Sequence, residues 1–203
     1  MSGAAGIAAI VAALALGASA IWAGTDGLRA FTAETARRLA IERAPRPLPE
    51  VALLDQDGQR GALDAYRGRV VLVEFIYASC PTVCSLQGAA FERLRERIAA
   101  EGLDRRIALL TLSFDIERDG PAELAAYAER FGGPDRIWHF ARPDSHAQLQ
   151  ALLQRAGVIV LPDGYGGFVH NAAIHVVDAR GRLVRILDSD ATEAALALAR
   201  RLR

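Results

Sequence analysis

The two cysteines of the chain stand in one short stretch, Phe75-Ile76-Tyr77-Ala78-Ser79-Cys80-Pro81-Thr82-Val83-Cys84, where strand-like residues give way to helix-like ones. Pro81 suits the first position of a helix, and the unpaired amides and macrodipole of a helix start stabilise a thiolate. Positions i and i+4 share one helical face, so both sulfurs can point to one centre and share one object there, a metal ion or an S–S bond. Two soft thiolates favour copper(I), and one added imidazole makes a three-coordinate site that can also hold copper(II). A third ligand therefore decides between metal chemistry and plain dithiol chemistry.

Four histidines are available. His139 follows Trp138 inside a strand pattern, and His146 lies in the first turn of an expected surface helix, so structural or solvated roles suit both better than ligation. His175 shares a strand face with Ala173 and Val177 and reads as a packed or hydrogen-bonded residue. His170 differs. It ends the Gly-rich loop that starts at Pro162, just before a strand expected to run antiparallel and to begin beside the cysteine helix. From position alone, a ligand role and a loop-stabilising role both stay open for His170.

The elements around these residues follow an α/β pattern. Val70 to Tyr77 is an apolar and aromatic run broken only by Glu74, as expected of a central strand covered on both faces. Glu74 has no evident role there. A helix with Phe91, Leu94 and Ile98 at three-and-four spacing follows, and Cys84 lies seven residues before Phe91, on its inward side. Ile107 to Phe114 predicts a second buried strand. Asp119-Gly120-Pro121 opens a helix with Leu124, Tyr127 and Phe131 inward, stopped by Gly132-Gly133. A third strand (Ile137 to Phe140), a third helix (Ser145 to Arg155), strands Ala172 to Val177 and Leu183 to Leu187, and a last helix from Thr192 complete the pattern. Ahead of it all, Val51 to Leu54 and Gly61 to Leu63 around Asp57-Gly58 read as a small β-hairpin. This predicts a thioredoxin-like α/β sandwich with an N-terminal β-hairpin. In such folds ligands gather where parallel strands end, which is where Cys80 stands.

With 203 residues and 52% hydrophobic content, one well-buried domain is expected. The 24 basic and 24 acidic residues cancel, so no overall field draws the chain to nucleic acid. All the basic residues are arginine, which excludes chemistry that needs a side-chain amine. Two cysteines are too few for a disulfide scaffold.

From Gly3 to Ala23 there is no charge, and about 20 apolar residues at 1.5 Å each can cross roughly 30 Å of hydrocarbon. Residues 1–28 read as a membrane anchor or a signal. Ala18-Ser19-Ala20 fits a cleavage site, whereas the missing positive n-region favours an anchor. Arg29, Arg37 and Arg38 follow the apolar run and, by the positive-inside rule, favour the opposite topology to export. Residues 29–48 read as a linker, with a short polar helix from Thr32 to Ile41 and the stiff Ala44-Pro45-Arg46-Pro47-Leu48-Pro49. The folded domain is expected over 49–203.

The sequence resembles the SCO/SenC copper proteins. The resemblance rests on the Phe75–Cys84 segment, on Ser113-Phe114-Asp115-Ile116-Glu117-Arg118-Asp119 followed by Pro121, and on His170, eleven residues before Gly181 of the Asp178-Ala179-Arg180-Gly181 turn. It runs from about Pro49 to Leu187. It implies a membrane-tethered thioredoxin-like domain on the periplasmic side of a bacterial inner membrane, serving assembly of the copper-A centre of cytochrome c oxidase. By the same resemblance Cys80, Cys84 and His170 are the copper ligands, and Asp115 matches an acidic position close to the site. The implied partners are the copper-A subunit or another copper client, other copper chaperones, and the membrane through the N-terminal helix. Ser85 stands where the family usually has proline, and Val169 where an aspartate commonly precedes the histidine.

Three functions compete. A copper chaperone would hold the ion between Cys80, Cys84 and His170 and pass it by ligand exchange to a client, and would be no enzyme in the usual sense. A thiol-disulfide oxidoreductase would use Cys80 and Cys84 alone to reduce client cysteines. A peroxiredoxin-like peroxidase would want a threonine or serine where Tyr77 stands. A structural zinc site would need a fourth ligand, and an inert disulfide closing so small a loop would add little stability.

Overall fold

The uncharged N-terminal stretch forms one helix, α1 (Ser2–Gly24), in the computed structural model, which describes residues 2–80 and 82–202. Pro81, expected at the first helical position, lies outside the described residues. The chain divides into two units, Met1–Arg43 and Ala44–Arg203. In the first, the 22 residues Gly3–Gly24 contain an 18-residue window with a mean hydropathy of 2.2 and an exposed surface, long and apolar enough to cross a membrane. The polar helix α2 (Ala33–Arg43) follows, begun by Thr32, whose hydroxyl accepts the Thr35 N–H at 3.1 Å.

The second unit runs β1 (Arg46–Pro47), β2 (Ala52–Asp55), β3 (Arg60–Ala62), β4 (Val70–Ile76), α3 (Val83–Ala100), β5 (Ile107–Ser113), α4 (Pro121–Glu129), β6 (Trp138–Pro143), α5 (His146–Ala156), β7 (Val160–Pro162), β8 (Phe168–His170), β9 (Ala173–Val177), β10 (Arg182–Asp188) and α6 (Thr192–Arg201). Eight strands form one sheet in the order β1-β10-β9-β4-β5-β6-β2-β3. β4, β5 and β6 are parallel, and β9 lies antiparallel against β4, as expected. The N-terminal hairpin is β2–β3, joined to the sheet through β6. Within the stretch read as a stiff linker, Arg46–Pro47 pairs with β10 as an edge strand, where proline is tolerated.

Every residue of β4 and β5 is buried, which is why both read as largely apolar runs, interrupted by Glu74 in β4 and by Thr111 and Ser113 in β5. Beside them α3 buries Cys84, Phe91, Leu94 and Ile98. Burying the last three contributes about 6 kcal/mol, far more than the ~1 kcal/mol of a good N-cap. The helix accordingly forms although Thr82 makes no side-chain capping bond. A Cβ on Gly88 would lie 2.3 Å from the Phe131 ring, so the bare backbone there lets the segment after α4 close on α3.

The register places the site. β4 and β5 run level, Ile76 opposite Ser113, and the Phe114 N–H donates to the Ile76 carbonyl at 2.9 Å. The chain therefore leaves both strands at one edge of the sheet, with residues 77–80 beside residues 114–119. The Gly-rich loop, expected to be irregular, is the tip of a hairpin, β7–β8, that forms a separate two-stranded sheet.

Candidate metal centre

Residues 77–80 turn tightly after β4, with the Cys80 N–H donating to the Tyr77 carbonyl at 3.1 Å. Two anchors hold this turn: the Ala78 N–H donates to Asp119 Oδ2 at 2.7 Å, and Arg130 donates to the Ala78 carbonyl at 3.1 Å. Because α3 starts at Val83, Cys84 is helical but Cys80 precedes the helix, and the two sulfurs do not sit on one helical face as expected. Instead the Cys80 Sγ accepts the Cys84 N–H at 3.4 Å, taking one of the unpaired amides of the helix start.

Both cysteines are free thiols, and both are buried. Their electrostatics differ. Burial opposes a thiolate at Cys80, yet the Cys84 thiol, the amides of Cys84 and Thr82 and the Tyr77 hydroxyl outweigh it and hold Cys80 below the ordinary thiol range. Burial, then the neighbouring Cys80, push Cys84 far above that range.

His170 comes from the end of β8. Its Nε2 lies 3.9 Å from the Cys84 Sγ, Phe114 packs edge-on to its ring at 5.1 Å, and its Nδ1 is buried without a hydrogen-bond partner. Burial holds this imidazole below its ordinary pKa, so it is neutral near pH 7 with a lone pair to give. A sulfur and an imidazole nitrogen sharing an ion at about 2.3 and 2.0 Å stand about 3.7 Å apart in trigonal geometry. The Cys84–His170 edge fits that separation, and two soft sulfurs with one imidazole suit copper. Among the described residues no group of three or more His, Cys, Asp and Glu side chains is gathered closely enough to hold an ion, so Cys80, Cys84 and His170 would have to draw together to share one.

The other histidines lie elsewhere. His139 stands edge-on to Tyr66, His146 is exposed and meets Glu117 at 3.3 Å, and His175 is buried edge-on to Phe75. Asp115, two residues past the end of β5, pairs with a neighbour: its carboxylate accepts a hydrogen bond from the Arg118 Nε. Glu74 is wholly buried, accepts from the Thr111 hydroxyl at 2.6 Å, and is pushed up to about 8 by burial. It holds a proton at neutral pH, and its charged form would raise Cys84 further.

Three residues around the site carry no signal of their own in the sequence. Tyr77, weighed there only as a misfit to peroxidase chemistry, faces the backbone N–H and carbonyl of Phe168, each at 3.4 Å from its hydroxyl. Asp119 accepts from Ala78 N–H and the Ser113 hydroxyl, and Arg118 donates to the Gly166 carbonyl at 2.6 Å. The runs 75–84 and 113–119 flag them only as parts of longer motifs.

The family model described as SCO1/SenC matches residues 47–202. The SCO1 protein homolog of Bacillus subtilis (strain 168) is 27% identical over 133 residues, which cover 64% of this chain and 68% of that protein. The solved structure of Bradyrhizobium japonicum ScoI with copper bound is 28% identical, with a TM-score of 0.61 over 77% of this chain and 99% of that one. BsSco, described as a member of the Sco family of cytochrome c oxidase assembly proteins, is 21% identical, with a TM-score of 0.68 over 77% and 93% of the two chains. The backbone likeness bears out the thioredoxin-like sandwich expected from the element pattern. With most of the domain matched, including the cysteine turn and the His170 hairpin, the chain belongs to the SCO1/SenC family.

Proposed function

We propose that the protein is a copper chaperone that carries a copper ion on Cys80, Cys84 and His170 and delivers it to the copper-A subunit of cytochrome c oxidase or to another copper client. Copper is cargo here, held as copper(I) or copper(II), and ligand exchange with a client thiol or with other copper chaperones moves it on. The observation that carries this reading is the 3.9 Å between Cys84 Sγ and His170 Nε2, because dithiol exchange has no use for an imidazole at that place. The copper-bound Bradyrhizobium japonicum structure supports it at 28% identity. Residues 1–28 would anchor the protein in a bacterial inner membrane, 29–48 would lead out of it, and 49–203 would form the copper-binding domain facing the periplasm. The exposed apolar face of α1 supports the anchor.

A second reading has its own observation. Cys80 is held below the ordinary thiol range beside a high-pKa Cys84, the asymmetry that a reductase of client cysteines needs for attack and resolution. Titrating the reduced full-length protein in detergent with copper(I) decides between them. One copper per chain, lost in His170→Ala with both thiols still reactive, is expected for the chaperone; unchanged copper affinity in that variant removes it and leaves the reductase.

A further inference from the structure

The β7–β8 hairpin that presents His170 forms a two-stranded sheet of its own, and an isolated two-stranded hairpin is marginal in water. Its base is tied by Asn171, which donates to the Gly157 carbonyl at 3.1 Å and accepts the Ile159 N–H at 2.7 Å. Its tip turns on Gly164 and Gly166, both with positive φ, and its far strand meets Arg118. That one guanidinium is used on two edges and a face. Nε donates to Asp115, Nη1 donates to the Gly166 carbonyl at 2.6 Å, and the plane lies over the Phe168 ring at 5.2 Å. Asp115 is fixed in turn, its carboxylate buried and its N–H donating to the Ser113 hydroxyl at 3.1 Å. A planar fork can serve three partners at once in a way an ammonium cannot.

We propose that Arg118, held by Asp115, is a positioning residue that clamps the Gly166–Phe168 segment leading into β8 and so sets the reach of His170 to the sulfurs. The proposal rests on the copper reading for its consequence but not for its geometry. Asp115 then acts on the site through Arg118, by holding the arm that holds the hairpin. Loosening the clamp lets His170 swing from Cys84, so an ion on the triad leaves faster while the two sulfurs keep their chemistry.

The test compares Arg118→Met with Arg118→Lys in the full-length protein in detergent. Arg95→Met is the control, because Arg95 also lies over an aromatic ring, Trp138, and donates to a carbonyl, Gly133. In Arg118→Met, amide exchange over residues 166–172 should rise about tenfold, as for loss of one charge-assisted hydrogen bond. The His170 ring resonances should lose the shift imposed by the Phe114 ring. Copper(I) dissociation into a chromogenic chelator should quicken by a similar factor, with Cys80 alkylation unchanged. Lysine should restore only part of each effect, and Arg95→Met should show none of them. Unchanged exchange and ring shifts in Arg118→Met overturn the clamp, as does faster exchange with His170 and copper release unmoved. If the unaltered protein binds no copper, the chaperone reading fails, and the ring shifts alone decide the clamp.

Discussion

The Cys84 sulfur and the His170 Nε2 meet at 3.9 Å although 86 positions separate them. Neither atom is carried there by its own element alone. Cys84 is fixed by the inward face of α3, and the Tyr127 hydroxyl donates to its carbonyl at 2.6 Å. His170 is fixed by a hairpin whose hold on the domain is a cluster of rings, Tyr77, Phe114 and Phe168, with centroids 5.3 to 5.6 Å apart. One side of the pair is therefore packed core, and the other a short hairpin held by those rings and by the hydrogen bonds of Asn171 and Arg118.

The two thiols should react in order. Cys80 is held low and Cys84 high, so as pH rises the thiolate forms first at Cys80. Iodoacetamide followed by peptide mass analysis should label Cys80 first, with a rate that climbs as pH rises through a value below the ordinary thiol pKa of 9.0. Tyr77→Phe removes a hydroxyl that stabilises this thiolate and should move that climb to higher pH. Equal labelling of both cysteines at neutral pH would contradict the asymmetry.

Glu74 should write itself into the pH dependence of stability. Its folded value is raised from 4.5 to about 8 by burial. Between those limits the unfolded chain releases a proton that the folded chain keeps, so the unfolded state binds fewer protons and stability falls as pH rises. The contribution is whole below about pH 4.5 and gone above about pH 8. Half-buried His139 and His170, with lowered values, tilt the curve the other way below their ordinary 6.5. The comparison with Glu74→Gln isolates the carboxyl, since glutamine keeps an acceptor for the Thr111 hydroxyl. Denaturant midpoints measured from pH 4.5 to 8 should fall more steeply for the natural chain than for the variant; parallel curves would show that Glu74 ionises normally.

Gly88→Ala tests the packing under the cysteine helix. The new Cβ would stand 2.3 Å from the Phe131 ring, which is itself buried and cannot swing into solvent. Overpacking of this kind costs about 1–3 kcal/mol. Thermal unfolding should show the loss, and Gly88→Ala combined with Phe131→Leu should recover part of it; additive losses in the pair would mean that the two sites do not touch.

Much of this architecture is legible in the chain and some of it is not, for physical reasons. β4, β5 and α3 announce themselves because each lives on apolar burial that a local pattern records. The cysteines and His170 stand out because few residues of those types exist to choose among. The hairpin bearing His170 is silent, since its strands have three residues each and one ends in proline. The grip on the site is silent too. Ala78 meets Asp119 across 41 positions and Tyr77 meets Phe168 across 91, distances at which no periodicity speaks. Helix onset misleads in a smaller way: the first turn of α3 begins at Val83, so Cys80 acts as a cap outside the helix.

Asp119 is where that hidden grip can be broken most cleanly. One of its oxygens accepts both the Ala78 N–H at 2.7 Å and the Ser113 hydroxyl, and the residue is 1% exposed. Asp119→Ala leaves two donors unanswered, which costs about 1–3 kcal/mol for each group left without a partner. Asp119→Asn keeps an oxygen that can accept both, at the cost of an amide with nothing to donate to, and should fall between the natural chain and alanine. The loss should also be local: exchange of the amides of residues 78–80 should rise more than global unfolding explains, because this carboxylate and Arg130 hold Ala78 from both its backbone groups. Denaturation paired with amide exchange separates the two effects, and an alanine variant whose 78–80 amides exchange only as fast as its global stability dictates would show that the cysteine turn holds its shape without Asp119.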